Sequence, residues 1–170
     1  MNAEALYQKL LKHLQEGLLS RSSNTPIYLA GLAIGGARIA KRLAQDLKLP
    51  HYGVINVSFH RDDYAEKGLR AIESASTMPT QLGFEVQDAH IVLIDDVLFT
   101  GRTVRAAINE LFDYGRPAQV SLMVLIDRGE RELPISADFI GQTIDLPHSQ
   151  ILVLEQDADQ QFRFFIEERM

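Results

Sequence analysis

Apolar residues in the first third of the chain follow helical and strand spacing in turn. Leucines recur every three or four positions through residues 3–19, which predicts an amphipathic N-terminal helix. An apolar run at 27–31 predicts a buried strand. The small-residue turn at 33–36 follows it, and helical spacing at 37–47 then predicts a second helix. This part of the chain therefore predicts a strand, a glycine-containing turn and a helix in succession.

The same alternation returns along the rest of the chain. Residues 89–94 form a continuous apolar run that is followed by two aspartates and by a predicted helix at 102–114. Continuous apolar strands are typical of parallel sheets that are buried on both faces. The pattern predicts an α/β fold with a mostly parallel central sheet flanked by helices. Further strands are predicted at 51–59, 119–126 and 137–141, with a terminal pair at 150–154 and 162–166.

Composition narrows the class of protein. The chain has 170 residues, 46% of them hydrophobic, and we expect one domain over 1–170. It contains no cysteine and no apolar run of about 18 residues, so we expect a soluble cytoplasmic protein with no membrane partner. The net charge of −6 disfavours nonspecific binding to polyanions. The histidines are scattered at no metal-ligand spacing, and we predict no zinc site.

Two acidic residues, Asp95 and Asp96, follow the apolar run at 89–94. Ligands of open α/β sheets bind at the carboxyl ends of the strands, which is where this pair is predicted to lie. Paired carboxylates there can accept hydrogen bonds from two vicinal hydroxyls. Thr100, Gly101, Arg102 and Thr103 come next, at the predicted start of a helix, where backbone N–H groups favour an anion. One end of the segment thus suits a ribose diol and the other a phosphate.

An apolar strand that ends in Asp-Asp has other uses, in nucleotide hydrolases, phospho-acceptor domains and simple metal sites. Those classes need different companion residues. The sequence contains no Gly-x-x-x-x-Gly-Lys-Ser/Thr loop and no Gly-x-Gly-x-x-Gly turn before a helix. The combination of the acid pair with the Thr-Gly-Arg-Thr turn therefore favours a phosphorylated sugar as the ligand.

Residues 91–103 resemble the donor-binding motif of type I phosphoribosyltransferases. Residues 61–63, 102–106, 114–117 and 124–135 narrow the resemblance to the PyrR family, whose members regulate the pyrimidine operon and catalyse uracil phosphoribosyltransfer. The resemblance implies a type I phosphoribosyltransferase fold with a flexible lid at about 61–85. It also implies a small hood at about 127–170, together with part of the N-terminal region. The implied reaction is uracil plus 5-phosphoribosyl-1-pyrophosphate giving UMP and pyrophosphate, in pyrimidine salvage.

The resemblance also implies roles for individual residues. Mg²⁺ would be bridged by the donor and reach Asp95 and Asp96 through water, with no direct protein ligand assigned. The implied donor-ribose and 5-phosphate residues are Asp95, Asp96, Val97, Leu98, Phe99, Thr100, Gly101, Arg102 and Thr103. The pyrophosphate loop is Ala33, Ile34, Gly35 and Gly36, the base hood contains Asp127 and Arg128, and the catalytic set is Asp95, Asp96 and Arg61.

Structural explanations stand beside three of these assignments. The stretch at 33–36 can be no more than a tight strand-to-helix turn, and many family members carry Lys or Arg where this chain has Ala33 and Gly35. The lid stretch can be a surface hairpin in which Arg61 pairs with its neighbour Asp62. A salt bridge can equally explain Arg128.

Two alternative functions stay open. One is an RNA-binding regulator of the pyr operon that senses UMP or UTP. RNA-binding relatives commonly show His-Arg followed five residues later by Arg, whereas this chain has Glu130-Arg131 and then Ser136, so binding of the pyr leader RNA is the weaker expectation. The other is a phosphoribosyltransferase for a different base. The resemblance implies a homodimer or homotetramer, with Leu6, Leu10 and Phe112 as apolar candidates for a shared face.

Overall fold

The chain folds into a central parallel sheet with helices on both faces and a separate antiparallel hairpin. The computed structural model describes residues 1–20, 23–57 and 79–169. The helices are α1 (Ala3–His13), continued by a π-helical stretch (Leu14–Leu18), α2 (Ala33–Asp46) and α3 (Arg102–Phe112). The strands are β1 (Ile27–Leu32), β2 (Gly53–Ile55), β3 (His90–Leu98), β4 (Gln119–Asp127), β5 (Phe139–Thr143), β6 (Gln150–Gln156) and β7 (Phe162–Glu168).

The central sheet has five parallel strands in the order β2-β1-β3-β4-β5, and β6 pairs with β7 in the hairpin. Strand β3 lies in the middle and is buried on both faces. Val92 and Ile94 pack in the core that contains α1 and α2, while Ile91 and Leu93 pack in the core that contains α3. The alternation follows from the period of two along a strand. It explains why residues 91–94 of this strand are all apolar, rather than only every second one.

The register places the carboxyl ends of three strands side by side. Gly31 of β1 is aligned with Ile94 of β3, and Leu98 of β3 is aligned with Asp127 of β4. The segments that follow β1, β3 and β4 therefore meet at one edge of the sheet. This edge is where ligands of parallel α/β sheets bind.

A buried arginine on α2 joins the N-terminal helix to the hairpin. Arg42 is 9% exposed and donates from Nη1 and Nη2 to the two carboxylate oxygens of Glu4, each at 2.7 Å. Nη1 also donates to the carbonyl oxygen of Gln160 at 3.0 Å, and the guanidinium carbon lies 4.1 Å from the centroid of the Tyr7 ring. The backbone N–H of Phe162 donates to Glu4 as well. One bidentate ion pair thus connects α1, α2 and the turn of the β6-β7 hairpin.

Every predicted helix and strand has a counterpart, although several boundaries differ by a few residues. Strand β3 extends past the apolar run through Asp95 and Asp96, because the backbone of β4 continues to pair with it. Helix α2 begins at Ala33 rather than at Ala37, so the predicted turn is the first turn of the helix. Strand β2 covers only Gly53–Ile55 of the strand predicted at 51–59, and the end of that prediction lies outside the described residues.

The apolar candidates for a shared face divide into two groups. Leu6 and Leu10 are buried in the chain's own core, so this prediction was wrong for both residues. Phe112 is 52% exposed at the end of α3 and remains available at the surface. The oligomeric state stays a prediction.

Within 1–20, 23–57 and 79–169, no helix is both long enough and apolar enough to span a bilayer.

We predict that Glu4→Gln destabilises the protein in a pH-dependent manner. The hydrogen bonds from Arg42, opposed in part by burial, lower the pKa of Glu4 from 4.5 to about 2. A carboxyl with a depressed pKa in the folded state stabilises the protein above its unfolded-state pKa, and this contribution is lost as the pH falls from about 4.5 towards 2. We expect a loss of about 2 kcal/mol in the free energy of unfolding at pH 7.

Urea denaturation of Glu4→Gln and of the wild type at pH 7, 5 and 3.5 measures this effect. The difference should shrink at the lowest pH. The matched control is Glu16→Gln, because Glu16 is 69% exposed in its pair with Lys12 and should contribute little. A pH-independent difference for Glu4→Gln would contradict the ion-pair explanation.

Candidate active site

The acid pair Asp95-Asp96 is held by hydrogen bonds to the backbone next to it. Oδ1 of Asp95 accepts from the backbone N–H of Asp96 at 2.9 Å, and Oδ1 of Asp96 accepts from the N–H of Val97 at 2.9 Å. Asp95 is 5% exposed, whereas Asp96 is partly exposed. Both carboxylates are therefore fixed at the carboxyl end of β3, and Asp96 is the more exposed of the two.

Burial raises the pKa of the Asp96 carboxyl above its usual value, against the opposing effects of hydrogen bonds with Asp95 and the backbone and of the charge of Arg38. The ionised form of Asp96 is thus incompletely solvated in the free protein. Hydroxyl donors or a cation from a ligand would replace the solvation that the carboxylate of Asp96 loses through burial. The electrostatics of the pair favour a ligand of this kind.

The first turn of α2 lies directly against this acid pair. A Cβ built on Gly35 would lie 2.2 Å from Oδ2 of Asp96, and one built on Gly36 would lie 2.2 Å from the carbonyl oxygen of Ile94. A side chain at Gly35 would displace the Asp96 carboxylate, and one at Gly36 would displace the backbone of β3. The structure therefore brings the predicted pyrophosphate residues Ala33, Ile34, Gly35 and Gly36 next to Asp96, as a helical turn rather than a loop.

The segment between β3 and α3 forms a tight turn that opens a helix. Gly101 is the residue before α3 and has a φ of +91°, which side chains of L-residues rarely adopt. The N–H of Arg102 donates to Oγ1 of Thr100 at 3.2 Å. The first N–H groups of α3 have no partner within the helix, and they point to where an anion is favoured. The predicted turn before a helix is present in the structure, and its binding of an anion stays a prediction.

A second segment, residues 129–135, braces this turn from outside. The N–H groups of Glu132 and Leu133 donate to the carbonyl oxygen of Thr100 at 3.0 and 3.2 Å. Nη1 of Arg131 donates to the carbonyl oxygen of Phe99 at 2.8 Å, and Nε of Arg102 pairs with Glu132 at 2.5 Å. Because its guanidinium is paired with Glu132, the side chain of Arg102 is not a free ligand for a phosphate.

Arg131 also anchors Asp127 at the end of β4. Nη2 of Arg131 lies 2.6 Å from Oδ2 of Asp127, and the N–H of Gly129 donates to Oδ1 at 2.8 Å. Burial on its own would raise the pKa of Asp127, but the hydrogen bonds from Arg131 and Gly129 more than offset it and lower the pKa. The salt bridge of this segment is thus formed by Arg131, not by Arg128.

Arg128 has a different environment. It is 7% exposed, its guanidinium carbon lies 4.3 Å from the centroid of the Phe99 ring, and Nη2 donates to the carbonyl oxygens of Leu146 and Pro147 at 3.3 Å. Its buried Nε has no hydrogen-bond partner among the described residues. Such an atom is costly unless a ligand or water satisfies it. Arg128 and Phe99 together form an amphipathic wall beside the braced turn.

A cavity of about 460 Å³ lies between α2 and β6, with Asp96 in its lining. Its volume is in the range of small-molecule sites. Ile34, Gly35 and Arg38 line it from α2, and residues 152–156 line it from the hairpin.

The sequence did not predict the contributions of Arg38, Arg131 or β6. Of these, only the contact of Arg131 with Asp127 could have been predicted from the sequence, because the two residues are four positions apart. Arg61 and most of the predicted lid lie outside the described residues.

The acid pair has the chemistry of a magnesium site that is completed by substrate. Among the residues that the structure describes, no three His, Cys, Asp or Glu side chains group as metal ligands. Mg²⁺ is usually held by one or two carboxylates together with substrate phosphates and waters. Asp95 and Asp96 fit that pattern, since they are oxygen donors next to two anion-binding turns.

Comparison with known proteins identifies the family. The family model for the phosphoribosyl transferase domain matches residues 2–155. The chain is 55% identical over 162 residues to the Bifunctional protein PyrR of Ralstonia nicotianae, a match that covers 94% of this chain and 88% of that relative. It is 42% identical over 161 residues to the Bifunctional protein PyrR of Nitrosococcus oceani, with 92% and 88% covered. The chain belongs to the PyrR family.

Solved structures confirm the predicted fold for this PyrR-family chain. A hypoxanthine phosphoribosyltransferase from Staphylococcus aureus superposes with a TM-score of 0.59 at 20% identity, covering 85% of this chain and 76% of that chain. A hypoxanthine phosphoribosyltransferase from Trypanosoma cruzi in complex with the product IMP gives a TM-score of 0.55 at 17% identity, with 85% and 78% covered. At these identities the likeness establishes the phosphoribosyltransferase fold and no more.

We predict that Gly101→Val weakens binding of the phosphorylated ligand without unfolding the protein. Valine at a φ of +91° is strained, and its Cβ would lie 3.0 Å from Cγ1 of Ile135 in the bracing segment. Relief of the strain must shift the turn. A cost on the order of 1–3 kcal/mol corresponds to about fivefold to 150-fold weaker binding of 5-phosphoribosyl-1-pyrophosphate by calorimetry.

The control is Gly17→Val, because a Cβ at Gly17 meets nothing within 4 Å and the residue lies away from the turn. This variant should bind as the wild type does. A Gly101→Val protein that is folded and has wild-type affinity would show that the turn does not hold the ligand.

Proposed function

We propose that the chain is a uracil phosphoribosyltransferase, converting uracil and 5-phosphoribosyl-1-pyrophosphate into UMP and pyrophosphate. One observation supports this most directly. The partly exposed carboxylate of Asp96 lies between two anion-binding helical turns, one that begins at Ala33 and one that begins at Arg102. A donor with a diol at its centre and phosphates at both ends matches this arrangement. Membership of the PyrR family points to uracil as the base.

Each part of the donor has a corresponding group of residues. Asp95 and Asp96 accept hydrogen bonds from the ribose 2′- and 3′-hydroxyls. The turn at 97–103 binds the 5-phosphate through its backbone N–H groups and the threonine hydroxyls. The turn at 33–36 binds the pyrophosphate through the unpartnered N–H groups at the start of α2. The predicted contact of Arg61 with pyrophosphate and the lid at about 61–85 remain part of this proposal.

The chemistry exchanges one bond at the anomeric carbon for another. The bond to the pyrophosphate oxygen breaks, the bond to N1 of uracil forms, and the N1 proton is released. Positive charge develops on the ribose in the transition state. Asp96, which is held rigidly and partly desolvated, stabilises this charge and fixes the ring, so that catalysis is mainly positioning and electrostatics.

Magnesium belongs to the proposal as the partner of the donor. Asp95 and Asp96 would hold it, through water, beside the ribose hydroxyls and the pyrophosphate. When bound, it offsets the negative charge of the leaving pyrophosphate. The carboxylates contribute by orienting the ribose hydroxyls at the same place.

The base is proposed to bind at the end of β4, beside the hood that we assign to residues from about 127 to the hairpin. Arg128 and Phe99 offer a flat surface there, with the guanidinium carbon 4.3 Å from the ring centroid. The buried Nε of Arg128 offers a donor that no described residue uses. A pyrimidine carbonyl oxygen would satisfy this donor. Asp127 positions the segment through Arg131.

Regulation of pyrimidine gene expression is the second proposed function, because the relatives of this chain are named bifunctional. The segment 130–136 is a poor surface for leader RNA. Its one basic residue is Arg131, whose guanidinium donates to Asp127 and to the carbonyl oxygens of Phe99, Gly129 and Ile135. Cations elsewhere on the chain would have to supply the contacts with RNA phosphates. Titration of a pyr leader RNA at a stated salt concentration, with and without UMP, tests this second function.

The substrate proposal is tested by assaying uracil, hypoxanthine, guanine and orotate side by side with the same donor and Mg²⁺. We expect turnover of uracil alone. Turnover of hypoxanthine without turnover of uracil would replace this proposal with purine salvage.

We predict that Asp96→Asn lowers turnover by roughly 10²-fold or more, because one preorganised charged contact with the reacting ribose is lost. Stability should not fall. Burial raises the pKa of Asp96 in the folded state, so its ionised form costs stability at neutral pH, and the neutral amide removes that cost. The measurements are kcat and the melting temperature at pH 7.

Asp159→Asn is the matched control, since Asp159 is exposed in the turn between β6 and β7. It should keep wild-type kinetics. If Asp96→Asn turned over uracil as the wild type does, the acid pair would not be the ribose site.

A further inference from the structure

We propose that Arg38 is the cationic side chain that binds the pyrophosphate group of the donor. This inference rests on the proposed phosphoribosyltransferase function and extends it by assigning a residue that sequence motifs do not mark. Arg38 lies on α2, just beyond the turn at 33–36, and lines the cavity that contains Asp96.

The charges around the cavity create a need for such a residue. Asp96 and Glu155 are the acids in the lining, and Arg38 is the only Lys or Arg among the described lining residues. Pyrophosphate carries several negative charges, and a cationic side chain, together with Mg²⁺, would offset its repulsion by the two carboxylates. Backbone N–H groups at the start of α2 supply only partial charge.

The turn itself cannot provide that cation. Residues 33–36 carry no basic side chain. A Cβ at Gly35 would lie 2.2 Å from Oδ2 of Asp96, so any side chain there would displace the carboxylate that holds the ribose. A cation must therefore come from a position outside the turn. Arg38 is three residues after Gly35, on the same face of the helix.

The side chain of Arg38 is anchored by one hydrogen bond and keeps other N–H donors for a ligand. Its Nη1 donates to the carbonyl oxygen of Leu154 at 3.1 Å, across the mouth of the cavity. A guanidinium has five N–H donors in a planar fork, and this bond uses one of them. The residue is exposed, so the remaining donors can reach a phosphate. An anchored guanidinium is preorganised for bidentate binding of phosphate oxygens.

Arg42, one helical turn further along α2, shows the contrasting case. Its guanidinium is 9% exposed and is occupied by Glu4 and by the carbonyl oxygen of Gln160. Arg42 therefore has a structural role and Arg38 does not share it. The competing explanation for Arg38 is that it only tethers β6 through Leu154.

Calorimetry with Arg38→Gln separates the two explanations, because glutamine keeps an N–H donor for Leu154 but removes the charge. The ligands are 5-phosphoribosyl-1-pyrophosphate, inorganic pyrophosphate and UMP, all with Mg²⁺. We expect Arg38→Gln to weaken binding of the first two by about tenfold or more. UMP, which has no pyrophosphate group, should bind within about twofold of wild type. Arg38→Lys should restore part of the loss.

Lys41→Gln is the matched control, because Lys41 is exposed on the same helix and the variant has the same change in charge. It should bind all three ligands as the wild type does. Equal affinity of Arg38→Gln and wild type for the donor would overturn the inference while leaving the proposed function intact. An equal loss for UMP and donor, with a lower melting temperature, would establish the tether instead. Failure of the wild type to bind donor or UMP would reject the proposed function itself.

Discussion

The site depends on the close approach of two backbone segments, the first turn of α2 and the end of β3. Gly35 and Gly36 permit this approach, since a Cβ on either would lie 2.2 Å from an oxygen atom of β3. The approach places Asp96 beside the first turn of α2, whose N–H groups have no partner within the helix. It also means that the turn cannot carry a charged side chain towards Asp96. The sites proposed for an anion and for a diol are thereby adjacent, and the proposed cationic side chain, Arg38, lies outside the turn.

The arginines around the site divide into two groups, structural residues and proposed ligand-binding residues, according to how many acceptors they already have. Arg42 and Arg131 each occupy several N–H groups with carboxylate and carbonyl oxygens of the protein. They hold the hairpin and the phosphate turn in place. Arg38 and Arg128 retain unoccupied donors that face the cavity or lie buried beside Phe99. Type and charge alone do not distinguish these four residues.

The braced turn also bears on the two functions implied by the family. Residues 129–135 hold the backbone of Thr100 and Phe99 through hydrogen bonds. A ligand that shifted the turn at 97–103 would also shift this segment, because the two are joined by several hydrogen bonds. The two proposed functions would therefore share a mechanical connection at this point of the chain.

The sequence by itself determined the parts of the site that are continuous along the chain. Asp95, Asp96 and the turn to Thr103 are local, because one strand and the helix after it hold them, and apolar periodicity is enough to place both elements. It did not reveal that α2 begins at Ala33, since a glycine-rich turn and a first helical turn have the same composition. Only the tertiary structure decided the roles of the arginines. Arg131 meets Phe99 across 32 residues, Arg42 meets Glu4 across 38, and Arg38 meets Leu154 across 116. Such contacts arise from the strand order and the packing of the hairpin, which no local pattern encodes.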